Sequence, residues 1–546
     1  MTRGTVRNAL PPALAALVLY LLLVQPNHPA AFTWGALAVF PLELPVILLG
    51  LVALGAGTWA TAARAALVAA LLLIAVLKTA DFAMFTSLSR GFNPVADLAL
   101  VEAGFRLLTG AIGPLPAILS VAGALVALAL VAAAAWWATG VWARLPGPDR
   151  HLRRGAAAGA ILVAGLATAE LGHAMGRWSL PLDPPGAAFT ARVGVERLQS
   201  ARATLADLRT FRQAAAEDPL ADGDGLLDLI DRDVLIVFVE SYGRTSLDTP
   251  FFAQLHRTTL ARGEDRLSGL GLSMASGLLG SPTQGGQSWL AHATFANGLW
   301  IDGQTRYGAA LASGRQTLFH LAGRAGFHTA AVMPQITLDW PESEVMGFET
   351  ILAARDLGYR GRPFNWVTMP DQFTLAALDR RLRDAPDDRP IFAQVATGSS
   401  HAPWVPVPDL VAWDEIGDGR VFDAMAEAGD PPDVVWRDRG RVRAQYRLAV
   451  DYALRTVLDY AARHADDPPL MIVLGDHQAA GFVALDERPH VPIHVIGPAH
   501  LVTRAATWGL APGLIPAHDT KVVPMNRMRD LILRSYSSGR APGGES

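Results

Sequence analysis

The stretch "LMIVLGDHQAAG", residues 470–481, bears on the fold and the chemistry together. Residues 470–474 are an unbroken apolar run between Pro469 and Gly475, the composition of a strand buried on both faces. An acid and a histidine, Asp476 and His477, follow it directly. In open parallel sheets ligands collect beyond the carboxyl ends of the strands, so the pair stands where such a sheet does its chemistry.

The pattern recurs upstream. "DVLIVFVESYG" (233–243) is an apolar run that ends in Glu240 and Ser241. Further strand-like runs are "HTAAVM" (328–333), "IFAQVAT" (391–397) and "VPIHVIG" (491–497), with helical patterns between them, such as 443–464. Apolar strands alternating with helices predict an α/β domain with a mostly parallel central sheet. If the strands that end at Glu240 and Asp476 are near neighbours, two carboxylates and an imidazole converge. Such a donor set suits Mn²⁺, Mg²⁺ or Zn²⁺. An acid after a strand is also a common helix N-cap, so each pair alone is a weak signal.

A nucleophile is the next requirement. "SPTQGGQSWLAHATFANG" (281–298) turns helical near Trp289, with Ser288 at the helix start behind Gly285 and Gly286. Backbone N–H groups there favour an anion such as phosphate, and a neighbouring cation would make the hydroxyl a usable nucleophile. A plain N-cap serine reads the same way. "TGSSHAPW" (397–404) adds His401 after another strand, placed to hold a phosphate oxygen or protonate a leaving group.

The 546-residue chain is 51% hydrophobic and 18% charged, with a net charge of −4. It has no global basic field for nucleic acid. It has no cysteine, which removes disulfides, thiolate metal sites and cysteine nucleophiles. The apolar residues crowd into the first 175 positions. Five segments there, 9–25, 31–55, 61–77, 112–139 and 155–172, are expected to span a bilayer, which takes about 20 residues each. A secretory signal is the rival for the first. Arg3, Arg7, Arg64, Arg144, Arg150, Arg153 and Arg154 share one side, the cytoplasm by the positive-inside rule. The 78–111 loop balances Lys78, Arg90 and Arg106 against Asp81, Asp97 and Glu102. It reads as an interfacial segment, or as one in which Asp81, Arg90 or Asn93 touches a lipid headgroup. Everything after about residue 173 then lies outside the cytoplasmic membrane.

The expected organisation is a transmembrane domain of five helices (1–175), a juxtamembrane linker (176–225), a catalytic domain (226–535) and a disordered tail (536–546). The linker holds Arg192, Arg197, Arg202, Arg209 and Arg212 on an amphipathic helix, which either lies on anionic headgroups or packs on the next domain.

Taken together and in order, Glu240, the GG-x-[ST] turn with Ser288, the S-x-H-x-P loop with His401 and the late G-D-H with Asp476 and His477 resemble the alkaline phosphatase/sulfatase superfamily. The pattern is most similar to its membrane-anchored branch of lipoteichoic acid synthases and phosphoglycerol or phosphoethanolamine transferases. The resemblance implies metal ligation by Glu240, Ser288, Asp476 and His477, most simply of manganese. It also implies a covalent intermediate on Ser288, phosphate contact by His401, a structural Asp371 and a substrate pocket at Trp340. Two residues past that tryptophan, where the synthases carry arginine, this chain has Glu342. With no cysteine, and with "SPTQG" in place of C/S-x-P-x-R, a formylglycine sulfatase is not implied. The implied activity is phosphotransfer from a membrane phospholipid donor to an envelope glycan or lipid acceptor. The alternatives are a phosphodiesterase, phosphatase or sulfuric ester hydrolase of the superfamily, and an inactive lipid-binding protein.

Overall fold

The computed structural model describes residues 3–539 except 89–90, 99–100, 102–103, 106–107, 110–111, 146–149, 183 and 222. Arg90, Glu102, Arg106 and the tail from 540 onward therefore lie outside the described residues, as do the side chains of Arg3 and Arg7. The chain divides into two compact units, Met1–Asp207 and Leu208–Ser546.

Among the described residues of the first unit, three helices are long and apolar enough to cross a membrane: Thr58–Thr86, Pro114–Ala143 and Arg150–Ala174. Two further apolar helices, Leu10–Val24 and Glu43–Leu54, are shorter. The expected 31–55 span is thus not one helix. Pro41 has no N–H to give and disfavours helix at Phe40, and it forms an extended bridge with Ala187 instead. The helix starts only at Glu43, and its 12 residues reach about 18 Å at 1.5 Å per residue.

The third expected span runs on past 77, so Lys78 and Asp81 are helical rather than in a loop. Both are fully buried. Lys78 Nζ donates to Leu23 O and Thr190 Oγ1, each at 2.8 Å. Asp81 accepts from Phe92 N at 2.8 Å and pairs with Arg197 at 3.3 Å. Asn93 Nδ2 donates to Thr204 Oγ1 at 2.8 Å. Asp81, Asn93 and Arg197 are therefore engaged with the protein itself, which corrects the headgroup reading for these three.

The second unit is built on a nine-stranded mixed sheet among the described residues. In chain order the strands are β1 Val234–Val239, β2 Ser273–Gly280, β3 His328–Met333, β4 Thr350–Ala353, β5 Ile391–Ala396, β6 Leu470–Gly475, β7 His490–Gly497, β8 Ala511–Pro512 and β9 Val522–Pro524. They lie in the order β4-β3-β5-β1-β6-β7-β2-β8, with β9 paired to β2. The run from β4 to β6 is parallel, and β7 is antiparallel to both β6 and β2.

Alternation along β1 explains why all six residues are apolar. Leu235, Val237 and Val239 enter one core, which includes the inner face of helix Arg439–Arg463, while Val234, Ile236 and Phe238 enter the core on the other face. The apolar strand runs seen in the sequence all fall on strands. β2, "SMASGLLG", contains no β-branched residue.

The end of β6 leaves no spare volume. A Cβ on Gly475, at the end of β6, would lie 1.9 Å from Tyr242 O and 3.1 Å from Val491 Cβ. Only glycine lets the β6 backbone pass the turn that follows β1. Gly475→Ala is expected to destabilise the protein by about 3 kcal/mol, the upper range for forced overpacking. A thermal melt of the purified protein checks this, and a melting temperature equal to wild type would contradict it.

Candidate metal and nucleophile centre

Register builds this site. β1 and β6 are adjacent and parallel, with Val239 opposite Gly475, so the next residues, Glu240 and Asp476, leave the sheet side by side. Ser241 N donates to Asp476 Oδ1 at 2.8 Å, His477 N donates to the same oxygen at 2.6 Å, and Ser241 Oγ donates to Glu240 Oε1 at 2.8 Å. Ser241 adopts the left-handed conformation, φ 57°, and Tyr446 OH donates to its carbonyl at 2.8 Å. Glu240, Asp476 and His477 thus offer three ligand atoms within 4.8 Å of one another, the one such group among the described residues.

The state of His477 follows from its neighbours. Its Nδ1 lies 3.1 Å from Gln478 O, an acceptor only, so Nδ1 carries the proton. Nε2 is buried without a hydrogen-bond partner, 3.4 Å from Glu240 Oε1 and 3.7 Å from Asp476 Oδ2. A backbone carbonyl on one ring nitrogen with the other aimed at carboxylates is how metal-binding histidines are oriented.

The charges agree. Burial pushes the Asp476 carboxyl up to about 7, and the Glu240 charge adds to it. Burial also acts to raise Glu240, but the adjacent His477 imidazole outweighs it and holds that carboxyl below the usual range. Burial acts to lower His477, yet the two carboxylates push it up to about 9. Two buried acids require a cation between them, which an imidazolium or a divalent ion supplies. The donors fit a divalent ion.

Ser288 is the first residue of helix Ser288–Asn297. It is held there by a glycine-rich turn: Gly285 has φ 75°, Gly286 φ 136° and Gln287 φ 66°. Gly285 N donates to Gln478 O at 2.7 Å, which ties the turn to the Asp476-His477 segment. Ser288 Oγ donates to Glu240 Oε2 at 3.1 Å.

The loop after β5 is set by Asp371, the first residue of helix Asp371–Leu378. Asp371 Oδ1 accepts from Gly398 N at 2.7 Å and Ser399 N at 2.9 Å, and Ser400 Oγ donates to Glu240 O at 2.6 Å. His401 Nδ1 lies 2.5 Å from Ala402 O, so it carries the proton and Nε2 is left as an acceptor.

A cavity of about 550 Å³ joins these parts. Its wall includes Glu240, Ser288, Asp476, His401, Trp340 and Glu342. His477 lies behind the carboxylates and is not on the wall. The cavity also recruits residues that sequence reading passed over. His292, one turn past Ser288, stacks on Phe238 at 4.1 Å, has no partner for its buried Nε2, and is pushed down to about 4 by burial. Tyr307 is pushed up to about 12 by burial and then by the Glu342 charge. The spacing of Ser288 and His292 at i and i+4 was the available signal for the first; Tyr307 had none. His490 and His494, both on β7, are engaged away from this group. His494 sits between Tyr242 OH at 3.0 Å and Ser276 Oγ at 2.7 Å, and His490 Nδ1 is 3.4 Å from Arg244.

The chain is similar to several solved structures at low sequence identity. The lipoteichoic acid synthase LtaP from Listeria monocytogenes is 13% identical over 61% of this chain and 79% of its own, with a TM-score of 0.36. The C-terminal periplasmic domain of EptC from Escherichia coli is 12% identical over 58% of this chain and 88% of its own, with a TM-score of 0.34. The phosphoglycerol transferase GacH from Streptococcus pyogenes, in complex with sn-glycerol-1-phosphate, is 12% identical over 62% of this chain and 94% of its own, with a TM-score of 0.33. No curated protein sequence matches this chain. Residues 290–491 match the family model described as Sulfatase, so the chain carries a sulfatase-like segment that holds His401, Asp476 and His477, while Glu240 and Ser288 stand just ahead of it.

Proposed function

We propose that the protein is a membrane-anchored, metal-dependent phosphotransferase that acts on phosphodiester lipid headgroups through Ser288. The observation that carries this reading is Ser288 Oγ donating at 3.1 Å to Glu240, which with Asp476 and His477 makes a compact ligand group beside an open cavity. Glu240, Asp476 and His477 would hold the ion, with Ser288 Oγ next to it. A divalent cation, manganese in the first instance, lowers the pKa of an adjacent hydroxyl and offsets charge on phosphoryl oxygens.

Ser288 Oγ attacks phosphorus in line. A Ser288 O–P bond forms, and the bond from phosphorus to the diacylglycerol oxygen breaks. Ser288 Oγ would react in the ionised form that a bound cation favours, with the Glu240 Oε2 contact holding the oxygen in place. His401, when protonated on Nε2, gives its proton to the departing alkoxide. A hydroxyl of an envelope glycan or lipid then attacks the phosphoserine, its proton passes to His401 Nε2, and the Ser288 O–P bond breaks to regenerate Ser288. Water as the acceptor turns the same first step into a phosphodiesterase, and a sulfate ester would meet the same groups. The presence of every member of the donor set argues against an inactive lipid-binding protein. The three long apolar helices support membrane anchoring, and the positive-inside reading of the arginines would put the second unit on the extracytoplasmic side.

Glu342 bears on the headgroup. It shares the cavity wall with Trp340 and Tyr307, and its charge is felt at the Tyr307 hydroxyl. A carboxylate beside two aromatic rings favours an ammonium headgroup of the phosphoethanolamine kind over phosphoglycerol.

Two measurements test this. Ser288→Ala should lower diacylglycerol release from fluorescent phospholipid in Mn²⁺ by about a thousandfold or more, on the scale of losing a catalytic nucleophile, with an unchanged melting temperature. Full activity in that variant would remove the nucleophile. Glu342→Arg should cut the preference for phosphatidylethanolamine over phosphatidylglycerol by about tenfold, as expected for reversing one charge beside the headgroup. An unchanged ratio would place the headgroup elsewhere.

A further inference from the structure

Two of the linker arginines stand near the start of helix Phe189–Ala216. Arg197 is committed to Asp81. Arg192, five residues earlier on helix Phe189–Ala216, has no carboxylate partner among the described residues, and its guanidinium carbon lies 5.5 Å from the Phe189 ring. Glu196, one turn further along that helix, is exposed and makes no ion pair with Arg192, and two other acids nearby each cap the helix start through one oxygen. Glu43 Oε1 accepts from Ala191 N at 2.9 Å, and Glu170 Oε2 accepts from Ala188 N at 2.7 Å.

Arg192 stands on the wall of a cavity of about 240 Å³ in the first unit. Apart from Arg192 the wall is entirely apolar in residue type, with Leu23, Val39, Pro41, Ala187 and Phe189 among its members. The neighbouring segment exposes Phe32, Trp34 and Phe40, with Trp34 89% exposed. Aromatic side chains of that kind settle at the boundary between hydrocarbon and headgroups. The cavity also abuts the C-terminal end of helix Arg3–Val24, where an apolar segment stops. An apolar pocket with one unpaired cation, beside an exposed aromatic segment, matches a ligand with an acyl chain and a phosphate.

We infer that this cavity is a binding site for an anionic diacyl phospholipid, with an acyl chain against Leu23, Val39 and Ala187 and the headgroup phosphate on Arg192. It belongs to the first unit and shares no residue with the wall around Ser288. Occupancy therefore does not depend on turnover. Lys78 does not compete for the phosphate, because its ammonium donates to Leu23 O and Thr190 Oγ1 inside the protein.

The test is photolabelling of the full-length protein in nanodiscs of phosphatidylcholine that contain a trace of phosphatidylglycerol with a diazirine on one acyl chain. Peptide mapping should place the label in residues 23–41 and 187–193. Arg192→Gln should reduce that label by about tenfold, the scale of one charge-assisted hydrogen bond. Ala36→Trp, which adds bulk at an exposed position on the cavity wall, should reduce it by blocking the acyl chain while leaving Arg192 in place. Melting temperatures of both variants establish that they are folded. Labelling spread evenly over the three long helices, or unaffected by either variant, overturns the site. Loss with Ala36→Trp alone overturns the phosphate contact, and loss with Arg192→Gln alone overturns the acyl groove. Because the readout is binding, failure here leaves the chemistry of Ser288 untouched, and an inactive Ser288 leaves this result untouched.

Discussion

Two carboxylates buried at the ends of adjacent parallel strands are the constraint on which the rest of the second unit depends. The β1–β6 register places Glu240 beside Asp476, and both are tied to the same turn through Ser241. Two like charges about 4 Å apart repel by about 4 kcal/mol at an effective dielectric of about 20, before the cost of desolvation. A fold that keeps such a pair must supply a cation. His477 can serve, and its orientation by Gln478 O also leaves Nε2 as a metal ligand. The glycine at 475, the left-handed Ser241 and the Gly285–Gly286 turn then read as consequences, since each lets a backbone come close enough to crowd donors around one point.

Support for the site comes from a second layer of residues. Asp371 gathers the loop that carries His401, Ser400 fastens that loop to the Glu240 carbonyl, and Ser281 Oγ donates to Asp476 O at 2.6 Å. None of these side chains is required to touch a substrate. They fix the three strand ends to one another, which is what positions a hydroxyl, a carboxylate pair and an imidazole around one cavity. The far wall of that cavity, with Trp340, Tyr307 and Glu342, is where headgroup selectivity would arise.

The sequence was most legible where the physics is local. Mostly apolar runs marked β1, β3, β5, β6 and β7, unbroken only in β1 and β6, because a strand covered on both faces has little room for polar groups. Residue types that end those runs marked Glu240, Asp476 and His477. β2 was not legible, since "SMASGLLG" packs small residues where Leu510 and the β7 strand approach closely. Tyr307 reaches the cavity through tertiary folding alone, and no periodicity announces it. In the first unit hydropathy misjudged 31–55, because it sums apolarity and ignores that Pro41 interrupts the helix. It also ended the third span too early, because it counts Lys78 and Asp81 as polar without seeing that each is satisfied inside the protein.

The account's central claim is that Glu240, Asp476 and His477 hold a divalent cation beside Ser288. The most direct measurement is the manganese content of purified wild-type protein and Asp476→Asn after dialysis, by elemental analysis on protein verified as folded by its thermal melt. The account predicts at least about one ion per chain in the wild type and a loss of ten- to a hundredfold in affinity in the variant, the scale seen when a metal site loses part of its support. Equal metal content in the two folded proteins, or none in either, would contradict it.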